Sequence, residues 1–234
     1  MLSFIVPAHD EERLITATLE AIQTSAQALG ESFEIIVVDD ASTDRTAVIA
    51  HELGARVISV AYRQIAATRN AGARAADGQW LFFIDADTLI DSDYLRAALH
   101  ALRSGAAGGG AGVKLLGPTA PFERFGQWLL IHMFRWTGVT PGCSLFCTRA
   151  AFDAVGGFDE TYFAGEDVAM GRALARQGRL VILNQVVMTS ARKLRTHTLG
   201  EQLHLLVRFL WRGRAILRSR DALGLWYGKR RNEP

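Results

Sequence analysis

Trp80-Leu81-Phe82-Phe83-Ile84-Asp85-Ala86-Asp87 decides how this chain reads. Five apolar residues form a buried strand, which ends abruptly in two carboxylates that an apolar core does not hold unpaired. In an α/β sheet the C-terminal end of a strand opens into the ligand crevice. Asp85 and Asp87 lie on the same side of an extended chain, so they can share one hard cation there. Mg2+ and Mn2+ take oxygen ligands, usually one or two carboxylates, with phosphates and water completing the shell. Asp-x-Asp alone is a common pattern, and the other reading is a polar turn that caps the next helix.

Upstream of that strand the pattern alternates. Strands are expected at Phe4 to Val6, Phe33 to Val38 and Val57 to Val60, with helices near Glu12 to Leu29 and Asp44 to Leu53. This βαβαβ order implies a parallel sheet. Ile15, Leu19, Ile22, Ala26 and Leu29 recur at steps of four and three, one apolar stripe facing the sheet. Ile35 to Val38 is a continuous apolar run, as a strand covered on both faces requires. A third helix runs near Gln64 to Ala76 and stops at Asp77-Gly78. Asp91 or Ser92 caps the helix after the Trp80 strand. Gly105 to Gly112 reads as a flexible bend into a strand near Val113, and Pro118 and Pro121 open a further helix. Leu129 to Trp136 is apolar and aromatic on several faces and is expected in the core, the alternatives being a partner contact or a lipid-facing lip.

The 234 residues suit one domain, or one domain with an appendage. A hydrophobic fraction of 49% and a charged fraction of 21% exclude disordered and fibrous classes. No run reaches the roughly 18 apolar residues of a membrane span. Met1 to Pro7 reads as a first strand rather than a leader, so a cytoplasmic location is expected. Cys143 and Cys147 sit four apart in a strand-like stretch, too far for a disulfide, and read as buried thiols. Charge is uneven: residues 192–234 hold 11 Lys or Arg against 3 acidic residues, leaving 15 against 21 before them. An acidic body with a basic arm suits phosphates or an anionic surface, and no nucleic-acid partner is expected.

Five features fall at the ends of these elements: Pro7-Ala8-His9-Asp10-Glu11, Asp39-Asp40-Ala41-Ser42-Thr43-Asp44, Arg69-Asn70-x-Gly72, Asp85-Ala86-Asp87 and Gly165-Glu166-Asp167. Their order and spacing resemble the family 2 glycosyltransferases over roughly residues 3 to 190. The resemblance includes Arg149-Ala150-Ala151-Phe152-Asp153-Ala154-Val155-Gly156-Gly157-Phe158-Asp159-Glu160. It implies an α/β, GT-A-like and Rossmann-related mixed sheet, mostly parallel and flanked by helices. A catalytic domain over 1–191 would divide into a nucleotide-sugar half, 1–104, and an acceptor half, 105–191. Residues 192–234 would form a basic helical extension.

The residue chemistry agrees with the resemblance. Asp40 or Asp39 can accept from a uracil imide, against a wall made by Pro7, Ala8 and His9 with Glu11 in the same motif. The family pattern favours Asp40, while Asp39 and Ser42 can instead cap a helix. The diphosphate is expected on a cation, Mg2+ or Mn2+, held by Asp87 and Asp85 about Ala86, and on the planar fork of Arg69. By resemblance, Arg192 and His197 close over the diphosphate, His197 as a further metal ligand. Asp167 is the candidate base for the acceptor hydroxyl, with Glu166 positioning it. The alternative is that both acids only offset the helix dipole.

Departures from the family pattern narrow the expectation. His9-Asp10 stands where the family has an aromatic residue and Asn. The Gln-x-x-Arg-Trp signature of processive synthases is absent, so transfer of a single sugar is expected, with inversion. The donor is then a nucleoside-diphosphate sugar, a uridine one by preference. The acceptor is unassigned, a lipid-linked one being compatible with a basic amphipathic helix over Gly200 to Leu217, which can lie on a membrane or pack on the body. Two other functions share parts of this pattern. A sugar-phosphate nucleotidyltransferase needs a glycine-rich, arginine-containing loop after the first strand, which Pro7 to Glu11 is not. A non-catalytic nucleotide-binding scaffold needs no base at Asp167.

Overall fold

The four apolar residues Ile35 to Val38 face two different cores, as the run implies. Ile35 and Val37 pack with Phe4, Val6 and Phe82, whereas Ile36 and Val38 pack with Ile5, Leu81 and Phe83. The computed structural model of the chain describes residues 1–116, 142–190 and 217–218. Within them the strands are β1 (Leu2–Ala8), β2 (Phe33–Asp40), β3 (Arg56–Val60), β4 (Trp80–Ile84), β5 (Thr88–Leu89), β6 (Gly108–Leu116), β7 (Ser144–Thr148) and β8 (Leu180–Ser190). The helices are α1 (Ile15–Ala28), α2 (Thr46–Glu52), α3 (Ile65–Ala75), α4 (Ser92–Arg103), α5 (Arg149–Val155) and α6 (Glu166–Ala175).

The strands make one sheet in the order β3-β2-β1-β4-β7-β6-β8-β5. β3, β2, β1 and β4 run parallel, and β7 enters antiparallel beside β4. This is the mixed, mostly parallel sheet expected. Register aligns Ala8 with Asp39, Asp40 with Val60 and Ile84 with Ser144, so the residues after β1, β2, β3 and β4 and those before β7 emerge along one edge.

α3 lies directly on this sheet because Gly72 lets it. A Cβ at Gly72 would collide with Ile5 Cγ2 and come within 2.9 Å of Val38 Cγ2. Its C-terminal end is tied by Arg149, whose guanidinium donates to the carbonyls of Gly78 at 2.8 Å, Ala76 at 2.6 Å and Ala73 at 3.3 Å. Orphan helix carbonyls are thereby satisfied by a cation, the favourable sign for that end. Gly72→Ala is expected to destabilise the fold by about 1–3 kcal/mol through overpacking, read as a lower urea midpoint. An unchanged midpoint would show that α3 rides higher than the contact geometry indicates.

The glycine run is corrected: Gly108 to Gly112 is no bend but the first half of β6. A Cβ on Gly108 would lie 2.6 Å from the Phe146 carbonyl and 2.9 Å from Cys147 Cβ, so close approach of the strands, not flexibility, demands glycine there. Asp91 does cap α4, accepting from Tyr94 N at 2.7 Å. Cys143 and Cys147 are free thiols, and burial raises both above the usual thiol range. The helix expected from Pro118, the Leu129 to Trp136 segment, Arg192, His197 and the basic helix apart from Leu217 lie outside the described residues. No described helix is long and apolar enough to cross a membrane.

Candidate active site

The site is organised by one buried arginine. Arg69 sits mid-helix on α3, 2% exposed, and aims its guanidinium at the strand-end edge. Nη2 donates to Asp85 Oδ1 at 2.7 Å and to the Gly142 carbonyl at 2.8 Å, while Nη1 donates to Glu166 Oε1 at 2.7 Å. The ring of Phe158 lies under it, 5.4 Å from Cζ to the centroid. Nε has no hydrogen-bond partner among the described residues. Burial alone would lower the affinity of Arg69 for its proton. The carboxylates of Asp85, Glu166 and Asp167 outweigh it, so the guanidinium is held charged more firmly than usual.

Elements distant in sequence thus meet at a single planar fork: the end of β4, the approach to β7 and the N-terminus of α6. Asn70 fastens the loop between α5 and α6, donating to the Phe158 carbonyl and to Glu160 Oε1, each at 2.9 Å, and accepting from Phe158 N at 2.9 Å. Gln64, at the start of α3, donates to the carbonyls of Glu160 and Tyr162. Leu217 clasps the same loop: its carbonyl accepts from Phe163 N at 2.7 Å and Ala164 N at 3.3 Å. The Arg218 guanidinium lies 4.8 Å from the centroid of the Tyr162 ring.

Glu166 and Asp167 open α6 after Gly165, which has φ 74°. Glu166 is buried against Arg69, whereas Asp167 is half-buried beside Gly142, where a Cβ would stand 2.7 Å from Asp167 Oδ2. Burial, then the charge of Glu166, push the Asp167 carboxyl up to about 7, against the opposing pull of Arg69 and backbone hydrogen bonds. A carboxylate balanced near neutrality is suited to accept a proton.

The Asp85-Ala86-Asp87 turn leads β4 into β5. Ala86 is buried and its carbonyl accepts from Thr18 Oγ1 on α1 at 2.9 Å. Asp87 Oδ1 accepts from Thr189 Oγ1 at 3.2 Å and Asp85 commits Oδ1 to Arg69, both side chains being half-buried. No group of three or more His, Cys, Asp or Glu gathers among the described residues as a cage for a metal. Two carboxylates at an open strand end nevertheless fit Mg2+ or Mn2+, which are held through few protein oxygens when phosphates complete the shell.

The nucleotide-side residues gather at the ends of β1 and β2. Pro7 and Ala8 are the last two residues of β1, both buried, and Glu11 is buried below them with its N–H donating to Thr46 Oγ1 at 2.7 Å. Asp40 is engaged within the fold: Oδ1 accepts from Arg63 N at 2.7 Å, and Oδ2 accepts from Gln64 N at 3.1 Å and Thr68 Oγ1 at 2.9 Å. Asp39 is buried with Oδ1 unpartnered among the described residues. His9 Nδ1 lies 2.8 Å from the Asp40 carbonyl. Ser42 Oγ accepts from Asp10 N at 2.9 Å, tying the loops after β1 and β2.

Sequence reasoning missed Gly142, Phe158 and Asn70 as a loop tether. Arg69-Asn70 and Gly156-Gly157-Phe158 read as separate motifs in the sequence, and the fold brings them together.

A helix-flanked mixed sheet with an acidic, arginine-centred crevice at its strand ends is the GT-A architecture of glycosyltransferases. The glycosyl transferase family 2 profile matches residues 3–138, more than half of the chain, and the chain belongs to that family. An uncharacterized glycosyltransferase of Haemophilus influenzae is 39% identical over 89 residues, 37% of this chain and 29% of that protein. The mannosyltransferase PcManGT from Pyrobaculum calidifontis, solved with GDP-Man and Mn2+, superposes with a TM-score of 0.69 at 20% identity over 100% of this chain and 65% of that one. Staphylococcus aureus TarS 1-349 with UDP-GlcNAc gives 0.63 at 22% identity over 81% and 58%. The chain spans less than a third of the length of the curated relatives it matches.

Proposed function

We propose that this chain moves one sugar from a nucleoside-diphosphate sugar, with uridine diphosphate as the leaving group, onto an acceptor hydroxyl with inversion and with Mg2+ or Mn2+ bound. The convergence of Asp85, Glu166 and Arg69 beside Asp167 carries this reading, because it sets a cation-binding strand end next to a half-buried acid balanced near pH 7. Residues 1–104 supply the donor side and 105–191 the acceptor side. The basic segment 192–234 directs the protein to a lipid-linked acceptor at the inner face of the membrane.

Asp39 and Asp40 supply acceptors to the base beside Pro7, Ala8, His9 and Glu11. Asp85 and Asp87 about Ala86, with His197, would hold the cation. When bound, that cation offsets charge on the departing diphosphate oxygen. Arg69 keeps Asp85 and Glu166 in place. Asp167 takes the acceptor hydroxyl's proton as the new bond from acceptor oxygen to anomeric carbon forms and the bond to the diphosphate oxygen breaks. Attack from the opposite face, through a transition state with oxocarbenium character, inverts the anomeric centre.

Calorimetric titration of UDP, GDP, CDP and ADP, with Mn2+ and then with chelator, tests the donor site on the native chain and Asp87→Ala. Binding of one nucleotide that needs Mn2+ and is lost in the variant is expected. Absence of binding under every condition would refute a nucleotide-sugar donor.

A further inference from the structure

Residues 156–165 carry the chain from α5 to the acid pair, and this loop is fastened in two places. Its first part is held by α3: Asn70 binds Phe158 and Glu160, and Gln64 donates to the carbonyls of Glu160 and Tyr162. Its last part is held from far downstream. The N–H groups of Phe163 and Ala164 both donate to the Leu217 carbonyl, at 2.7 and 3.3 Å. The half-buried Leu217 side chain brings Cδ1 to 3.4 Å from where a Cβ on Gly165 would stand. Beside it the exposed Arg218 lies over the Tyr162 ring, 4.8 Å from Cζ to the centroid, with Nη2 donating to the phenol oxygen at 3.4 Å.

Gly165 is the pivot between that clasp and the acids. At φ 74° it has a backbone freedom that would let the two sides swing apart. Glu166, next along, is anchored by Arg69. Asp167 stands one residue beyond that anchor, and its carboxyl takes hydrogen bonds from the backbone N–H groups of Asp167 and Val168. The carboxyl therefore points wherever the first turn of α6 points. Across the pivot from that turn, the two consecutive N–H groups of Phe163 and Ala164 are gripped by one carbonyl.

We propose that Leu217 and Arg218 are positioning residues for Asp167: they hold Phe163 and Ala164 on one side of the Gly165 pivot, and so set where the acid on the other side stands. They act through the loop. The inference rests on the reading of Asp167 as the base and adds that a downstream segment completes the frame of the active site.

Leu217→Ser combined with Arg218→Ala removes both side-chain seats, whereas Leu217→Met combined with Arg218→Lys keeps one apolar and one cationic. Amide hydrogen exchange reads the clasp, and the Asp167 carboxyl resonance, followed against pH by carbon NMR, reads the acid. In the first variant Phe163 and Ala164 are expected to exchange about tenfold faster, with the amides of β1 to β4 unchanged. The Asp167 midpoint, near 7 in the native chain, is expected to fall by about one pH unit, because water reaching the carboxyl removes the effect of burial. Glu166 and Arg69, the charged groups that act on it, and the Cys143 thiol near it are the same in every variant. The conservative variant should stay close to native in both readings. Arg218→Ala alone, at an exposed site, should move both the same way by less, and it decides the matter if the double variant does not fold. Faster exchange with an unmoved midpoint, or exchange that stays native in the double variant, overturns the positioning role alone. A native midpoint in the ordinary carboxylate range overturns the base reading and this inference with it.

Discussion

Asp167→Asn is expected to lower kcat by about a hundredfold to ten-thousandfold, the range a positioned general base contributes, while leaving nucleotide binding intact. Asparagine keeps the shape at the start of α6 and loses only the acceptor for the proton. The native pH profile of kcat/KM should rise through about 7, where the Asp167 carboxyl ionises in the fold. Stability should move the other way. The unfolded carboxyl ionises near 3.8 and the folded one near 7, so between these values the folded chain holds a proton that the unfolded chain has released. The stabilisation from this group is complete below about 4 and is lost as pH rises through 7. Melting temperature should thus decline over the same interval in which activity climbs, and Asp167→Asn should flatten that part of the decline. Full activity in the variant would refute Asp167 as the base.

Arg69→Leu is expected to destabilise the chain by about 3–5 kcal/mol, because it leaves Glu166 buried without its cation and removes the partner of Asp85. Lysine should not restore the loss. A compact ammonium cannot span Asp85, the Gly142 carbonyl and Glu166 as a planar fork does. Denaturant melts of Arg69→Leu, Glu166→Gln and the double variant provide the check: the double variant should recover part of the single loss, since no buried carboxylate then lacks its partner. A melt of Arg69→Leu that overlays the native one would show the cluster to be loosely solvated.

Much of the parallel half was legible before any coordinates, because its strands are apolar runs with polar ends and α1 carries a clean stripe. β6 was not. Glycine ranks low for strands, and the close approach of Phe146 and Cys147 on one side and the Val181 carbonyl on the other explains why residues with so little side chain lie in the sheet. β8 went unread because Leu180–Ser190 buries only Leu183 and Val187, four apart, and is half-buried or exposed elsewhere instead of alternating. In the site, residue types were readable and pairings were not. Asp85, Arg69 and Glu166 each ended a recognisable pattern, but nothing in spacing says that one guanidinium joins them. Asp40 shows the converse: its place after an apolar strand marks it for a ligand, while three of its acceptor sites serve the start of α3.

The clasp of Leu217 on Phe163 and Ala164 has a consequence for the order in which this protein becomes competent. The loop that delivers Glu166 and Asp167 borrows its main-chain acceptor from far downstream, whereas β1 to β4 pair among themselves. During vectorial synthesis the donor half can close early, as N-terminal portions generally do. The acid pair must wait until Leu217 has left the ribosome. The sheet that carries Asp85 can then be in place before the acids that Arg69 pairs it with.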